Sequence, residues 1–127
     1  MALTPFPVSF ARLIVAAPGT SEGPVGADGV TPVPVPDNCT EIWVTNPDGA
    51  NSGVVGFATP GGTLTPGIGG QRVRPASTII MAVGAQRKRG SMDEAAVAGS
   101  GLAGDAIGGA ITLEVTYISV IGGENPL

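Results

Sequence analysis

Histidine is absent from this chain of 127 residues, and cysteine occurs once, at Cys39. A chain without histidine lacks the side chain that most often moves protons or ligates metals near neutral pH. A single cysteine cannot form an intramolecular disulfide, and we expect Cys39 to be a small, partly buried apolar residue. The carboxylates are scattered among turns, so the sequence offers no nucleophile beside a base and no metal-ligand spacing. It therefore predicts a non-enzymatic protein without a cofactor or a metal.

Charged residues are also scarce, at 13% of the chain, with ten acidic side chains against six basic ones. The mildly acidic balance provides no positive field for nucleic acid or for an anionic membrane surface. The longest apolar runs are far shorter than the roughly 20 residues that span a bilayer. Soluble surfaces usually carry about 25–35% charged residues. The low charge therefore indicates a surface that is partly covered by neighbouring protein copies, and we expect no direct contact with nucleic acid or membrane.

Aromatic residues are few, since the chain holds three Phe, one Trp and one Tyr. No aromatic cluster marks a pocket for a small ligand. Residues 99–104 (GSGLAG) formally match the glycine pattern of dinucleotide-binding proteins. That pattern requires a strand before it and a helix after it, whereas the preceding residues favour a helix and Gly108 and Gly109 oppose a following one. We therefore expect a flexible loop at residues 99–109 and no nucleotide site.

Glycine and proline, by contrast, are abundant, with 21 and 12 residues in a chain that is 43% hydrophobic. This composition indicates a folded chain with many turns. Segments rich in β-branched residues and bounded by turn residues predict strands. The predicted strands are residues 8–17, 41–45, 53–59, 77–83 and 110–122, with a short alternating run at 72–74. Residues 77–83 predict a buried strand because their apolar run is continuous, and residues 110–122 predict a strand in the middle of a sheet.

One brief helix is predicted at residues 91–98, because Ser91 and Glu94 have the spacing of a capping box. Short strands that alternate with turn residues point to an all-β fold. We expect an antiparallel β-sandwich or a jelly-roll-like barrel with long glycine- and proline-rich loops. The length fits a single domain that covers residues 1–127.

Two extended segments are expected outside the predicted strands or at their ends. Residues 3–10 form an apolar N-terminal arm. The proline-rich segment at residues 18–37 contains the run TPVPVP, residues 31–36, which proline makes stiff and extended. We interpret this run as a rigid arm that crosses the domain or reaches a neighbour. The alternative is a recognition ligand for an aromatic groove.

The only tryptophan, Trp43, belongs to a segment with period-two alternation. Glu41, Trp43 and Thr45 point to one side of the predicted strand, and Ile42 and Val44 point to the other. The turn residues NPDG that follow predict a hairpin with residues 53–59. Packing in the core is the default role of a tryptophan, and anchoring of an interface is the alternative.

Basic residues cluster at positions 87–89. Such a cluster can contact phosphate, but it lacks aromatic neighbours for base stacking. We prefer a solvated loop or an ion-pairing contact to an acidic neighbour. The candidate interface residues are Phe6, Phe10, Trp43, Arg72, Arg74, Arg87, Lys88 and Arg89.

The layout of several segments resembles a known class of protein. The stretch EIWVTNPDGANSGVVGFATPGGTLTPGIGGQ is followed by STIIMAVGA and finally by ITLEVTYISV. Over residues 40–120 this layout is similar to the small β-sandwich proteins of tailed-bacteriophage virions, and the insert at residues 87–109 departs from it. The resemblance implies a structural role as a head decoration or cement protein that packs on the major capsid protein. It also implies a homo-oligomer, with a trimer favoured, in a virion that is assembled in the host cytoplasm.

Other functions remain open at this point. A tail, head–tail adaptor or fibre component would share the same general architecture, and so would a small coat protein that closes its own shell. A glycan- or receptor-binding β module is a further alternative, in which Trp43 would be a stacking platform.

Overall fold

The computed structural model describes residues 5–36, 39–58, 61–83 and 101–119. Within these residues the chain forms eight β-strands. They are β1 (Phe6–Val15), β2 (Glu41–Asn46), β3 (Ser52–Ala58), β4 (Thr65–Pro66), β5 (Gly69–Val73), β6 (Ser77–Ala82), β7 (Gly101–Ile107) and β8 (Ile111–Ser119). The helix predicted at residues 91–98 and the basic residues Arg87, Lys88 and Arg89 lie outside the described residues.

The strands form two four-stranded sheets that pack as a β-sandwich, as the sequence predicts. Sheet A has the order β1-β8-β2-β6, and sheet B has the order β4-β5-β3-β7. All neighbouring strands are antiparallel except β4 and β5, which are parallel. The central place of β8, between β1 and β2, confirms the prediction for the last strand.

The core lies between the two sheets and takes alternate residues from their strands. Strand β2 buries Ile42 and Val44, and β8 buries Leu113 and Tyr117. Burying one such aliphatic side chain contributes about 1.5–3 kcal/mol. Tyr117 is fully buried, and its hydroxyl donates a hydrogen bond of 3.1 Å to the carbonyl oxygen of Val33. The alternation that the sequence shows in β2 and β8 therefore sets which face is the core.

The proline-rich segment crosses the domain and closes one side of the sandwich. Val25 and Arg12 of β1 exchange two backbone hydrogen bonds of 2.8 Å each. Glu22 and Gly104 of β7 also exchange a pair, of 2.8 and 2.9 Å. Farther on, Val33 packs against the core. The segment thus bridges the edge of sheet A and the edge of sheet B.

The predicted hairpin of β2 and β3 is wrong. Strand β2 pairs with β6 and β8, whereas β3 pairs with β5 and β7, so the connection between them crosses from one sheet to the other. Asn46 explains the crossing, since its buried side chain donates hydrogen bonds of 2.8 Å to the carbonyl oxygen of Asn51 and 3.2 Å to that of Val73 in sheet B. Asp48 then holds the turn by accepting the N–H groups of Ala50 and Asn51.

Two further expectations need correction. Residues 101–107, expected to be a loop, form the strand β7, and residues 77–83, expected to be a buried strand, contain the edge strand β6 with alternating exposure. In β7 small residues allow close packing against the neighbouring sheet. In β6 the apolar run continues because both faces are apolar, although one of them is exposed.

The expected N-terminal arm at residues 3–10 is, from Phe6 onwards, the first half of β1. This part pairs with β8, and its register shifts between Pro7 and Ser9. Residues 1–4 lie outside the described residues.

Candidate functional site

An apolar row crosses the outer face of sheet A. In register, Phe10 of β1 lies opposite Thr116 of β8, Thr116 lies opposite Trp43 of β2, and Trp43 lies opposite Ile80 of β6. Phe10 is 65% exposed, Ile80 is 57% exposed and Trp43 is half-buried. Because adjacent strands are about 4.8 Å apart, the four positions span roughly 14 Å. We call these four residues, which are three large apolar side chains and the threonine between Phe10 and Trp43, the apolar row.

The alternation of β2 places Trp43 on this face. Ile42 and Val44 are buried in the core, and Trp43 shares the opposite face with Glu41 and Thr45. The indole Nε1 of Trp43 donates a hydrogen bond of 3.0 Å to Oε1 of Glu41, two residues away on the same strand. This bond satisfies the single polar group of the side chain. The ring is thereby held on the outer surface with its polar group occupied.

A polar row runs beside the apolar row, displaced from it by two residues along each strand. Arg12 lies opposite Glu114, Glu114 lies opposite Thr45, and Thr45 lies opposite Thr78. The hydroxyl oxygens of Thr45 and Thr78 are 2.8 Å apart and share a hydrogen bond. Arg12 and Glu114 carry opposite charges and lie directly opposite one another, which modestly favours the pairing of β1 with β8. The face therefore combines an apolar stripe with a polar border on one side.

Phe6 and Phe10 do not lie on the same face. Phe10 pairs with Thr116 on the outer side of sheet A, whereas Phe6 pairs with Ser119, which shares the inner side with Tyr117. The register shift between Pro7 and Ser9 inserts one residue and exchanges the two sides. Of the two candidate phenylalanines, only Phe10 belongs to the apolar row.

The candidate arginines are separated from the apolar row. Arg72 is exposed and lies opposite Val54 on sheet B. Arg74 is exposed after β5, and its carbonyl oxygen accepts the hydroxyl of Ser77 at 2.7 Å. The structure thus does not bring Arg72 and Arg74 together with Trp43.

Sequence reasoning missed two exposed residues of the outer face, Ile80 and Ile14, which are 57% and 40% exposed. Ile80 stands in an apolar run that predicts burial, and Ile14 stands near the end of a strand whose alternation is imperfect. Only the pairing of β1 with β8 shows that Phe10, Arg12 and Ile14 lie on the exposed face of sheet A. No local sequence signal contains that pairing.

A cleft of about 420 Å³ opens at one end of the sandwich. Its lining is mostly apolar, and Asp48 is its only titratable residue within the described part of the chain. Hydrogen bonds from the N–H groups of Asn51 and Ala50 lower the pKa of the Asp48 carboxyl from its ordinary value. This carboxylate therefore acts as a turn-forming acceptor.

One carboxylate is buried inside the fold. Asp105 of β7 is 1% exposed and accepts backbone N–H groups from Ala106 at 2.7 Å, Gly19 at 3.0 Å and Leu64 at 3.2 Å. Such bonds satisfy a buried acid without a cation. Asp105 therefore fastens the segments at Gly19 and Leu64 to β7.

Among the residues that the structure describes, no group of three or more potential metal-binding side chains comes together. The described part of the chain contains no helix with the length and apolar character needed to cross a membrane. Cys39 is buried, and its thiol donates a hydrogen bond to the carbonyl oxygen of Glu41 at 3.1 Å. No protein-family model, no curated protein and no solved structure matches this chain.

Proposed function

We propose that this chain is a non-enzymatic structural protein of a tailed-bacteriophage virion. In this proposal it is a decoration or cement protein that is assembled in the host cytoplasm and packs on the major capsid protein. It acts as a homo-oligomer, for which the resemblance favours a trimer. The observation that carries the proposal is the apolar row on the outer face of sheet A.

The apolar row has the features of a contact surface. Phe10 and Ile80 are each more than half exposed, and the half-buried residue Trp43 lies between them. Tryptophan at the centre of an apolar patch is a frequent energetic anchor of protein interfaces. The polar border through Arg12 and Glu114 supplies the rim that such an interface needs. Docking of this face on a protein partner removes the exposed apolar side chains from water.

The rigid frame of the face supports the same proposal. All four strands of sheet A contribute one residue each to the apolar row, and the covering segment at Val25 fastens its β1 edge. A preformed surface loses little conformational entropy on binding. A cement protein requires such a surface, because it must lock neighbouring capsid subunits without refolding.

The decisive experiment measures binding to the capsid of the parent phage after its native decoration layer has been removed. Co-sedimentation should recover the wild-type protein with the capsids and raise the temperature at which they open. Trp43→Ala and Phe10→Ser should weaken binding at least tenfold, while the exposed Thr112→Ala on the same sheet serves as the matched control. Failure of the wild-type protein to bind stripped capsids would reject the decoration role.

The related virion roles give different results in the same preparation. A tail, head–tail adaptor or fibre component would be recovered with tails or connector complexes, and not with stripped heads. A small coat protein would form closed shells by itself, which negative-stain electron microscopy of the purified chain would reveal.

The Trp43–Glu41 pair favours a second candidate function, binding of a glycan or a receptor sugar. A half-buried indole beside a carboxylate offers a stacking face and a hydrogen-bond acceptor at one place. A glycan array probed with the wild-type protein and with Trp43→Ala tests this candidate. In that case Trp43→Ala abolishes glycan binding and leaves the oligomer intact.

A further inference from the structure

The four outer edges of the two sheets are not equally protected. Edge strand β1 exchanges hydrogen bonds with Val25, and edge strand β7 exchanges them with Glu22. Edge strand β4 has only two residues, and one of them is Pro66, which has no N–H to donate. Short strands, proline and covering segments are the usual means by which sheet edges avoid pairing with other chains.

Within residues 5–36, 39–58, 61–83 and 101–119, edge strand β6 has none of these protective features. It runs as STIIMA from Ser77 to Ala82, without a charge, a proline or a register shift against β2. Within the described residues, no strand pairs with its outer edge. Its β-branched residues favour strand pairing. An uncharged regular edge of six residues is a site to which another strand can add.

The direction of the backbone groups on β6 follows from one hydrogen bond. The N–H of Val83, the residue after β6, donates to the carbonyl oxygen of Thr40 at 2.9 Å, towards β2. Backbone groups of successive strand residues point alternately to the two sides of the strand. The N–H and C=O groups of Thr78, Ile80 and Ala82 therefore point away from β2, towards the outer edge.

We propose that β6 pairs with β6 of a second copy of this chain, antiparallel across a two-fold axis at Ile80. In this register Ile80 opposes Ile80 and Thr78 opposes Ala82, which are the residues with outward backbone groups. Opposed residues then lie on the same face in both copies, since their numbers have the same parity. The two four-stranded sheets become one continuous sheet.

The occupant is a second copy because the edge is complementary to itself. The opposed pairs hold no charge, so two copies meet without repulsion, and Ile80 meets an identical apolar side chain that is 57% exposed in the single copy. The pairing also joins the two apolar rows end to end, Trp43 and Ile80 of one copy continuing into Ile80 and Trp43 of the other. Cross-strand pairs of β-branched residues stabilise sheets.

The proposal goes beyond the virion role and does not depend on it. A two-fold pair through β6 is isologous and closes with two copies. It therefore predicts a different stoichiometry from the trimer favoured by the resemblance. Light scattering on a sizing column should give twice the chain mass of 12.5 kDa. A monomer at every concentration, or a trimer, overturns the proposal.

Charge substitutions at the axis test the register. Ile80→Lys and Ile80→Glu each place two like charges opposite one another and should weaken the dimer about tenfold or more, while an equal mixture of the two variants should restore a heterodimer. Ile14→Lys on the same face, far from the β6 edge, is the control and should remain dimeric. Far-ultraviolet circular dichroism verifies that each variant is folded.

Crosslinking separates this interface from a contact through the face of sheet A. A mixture of Thr78→Cys and Ala82→Cys chains should form a disulfide-linked heterodimer under mild oxidation, because opposed strand residues stand about 5.5 Å apart between Cα atoms. Either variant alone should stay uncrosslinked. Crosslinking of either variant with itself, or failure of the mixture to crosslink, overturns the register. A dimer that crosslinks as expected but fails to bind stripped capsids would reject the decoration role and leave the β6 pairing in place.

Discussion

Gly104 of β7 lies directly against Leu13 of β1, so that a β-carbon at position 104 would stand 2.8 Å from Leu13 Cδ1 and 3.2 Å from Leu13 Cβ. Leu13 is fully buried, and Gly104 at the same time exchanges two backbone hydrogen bonds with Glu22. The absence of a side chain at position 104 thus lets the edges of the two sheets and the covering segment meet at one place.

We expect Gly104→Ala to lower the free energy of unfolding by about 1–3 kcal/mol, because the added methyl group overpacks the contact with the buried Leu13. Urea denaturation followed through Trp43 fluorescence measures the change. Gly101→Ala on the same strand is the matched control, since a β-carbon there meets nothing within 4 Å. Equal effects of the two substitutions would show that the contact with Leu13 is not the cause.

The same contact explains why β7 was not predicted from the sequence. The segment GLAGDAI has small residues where a strand usually shows large apolar ones, and small residues are typical of a loop. Its strand conformation depends on partners that are distant in sequence, Leu13 of β1 and the residues of β3. By contrast, β2 and β8 alternate clearly between buried and exposed residues, and their local pattern was sufficient to predict them.

The apolar row was predicted only in part for a related reason. Trp43 and Phe10 are conspicuous as aromatic residues, but they come together through Thr116 of the intervening β8. Ile80 was assigned to the core because a continuous apolar run does not reveal which of its faces is exposed. Strand order decides that question, and strand order is a long-range property of the fold.

Asn46 is expected to be essential for the crossing between the sheets. Its side chain is fully buried, donates to the carbonyl oxygens of Asn51 and Val73, and accepts the N–H of Asp48 at 2.9 Å. Asn46→Ala leaves these groups without their partner and should cost about 2–4 kcal/mol of unfolding free energy. Chemical denaturation gives the value.

A second substitution identifies which of these bonds matters. Asn46→Asp keeps the acceptor for Asp48 but replaces the two donors with a carboxylate that faces carbonyl oxygens. It should therefore destabilise the protein at least as strongly as Asn46→Ala. A loss below about 0.5 kcal/mol in both variants, the range of an ordinary surface substitution, would contradict the assigned role.

Asp28 is expected to make the proline-rich segment sensitive to acid. Hydrogen bonds from the Thr31 hydroxyl and from the N–H groups of Val30 and Thr31 lower the pKa of the Asp28 carboxyl from 3.8 to about 2. Because the pKa is lower in the folded state, the stabilisation is present above pH 3.8 and is lost as the pH falls towards 2. Melting temperatures recorded through this window should fall more steeply for the wild-type protein than for Asp28→Asn.

Thr31→Val provides the intermediate case for this prediction. It removes the hydroxyl donor and retains both backbone donors, so its acid dependence should lie between those of the wild-type protein and Asp28→Asn. Identical acid profiles of all three proteins would show that the turn contributes nothing to the acid transition.

Tyr117 is expected to stay protonated in the folded protein well into the alkaline range. Burial raises the pKa of its phenol above the ordinary value of 10, and the nearby Cys39, once ionised, raises it further. Because the pKa is higher in the folded state, the stabilisation is complete below pH 10 and is lost as the pH rises beyond it. The chain has a single tyrosine, so absorbance at about 295 nm follows this one group. The native protein should titrate above the unfolded protein, and its phenolate should appear together with unfolding.

Tyr117→Phe separates the effect of ionisation from that of the hydrogen bond to Val33. The variant loses the bond of 3.1 Å and with it about 0.5–1.5 kcal/mol at neutral pH. It also has no phenol to ionise, so its stability above pH 10 should decline less than that of the wild-type protein. A native phenol that titrates near its ordinary pKa without unfolding would mean that the ring is accessible to solvent, and it would contradict the packing of β8 against the proline-rich segment.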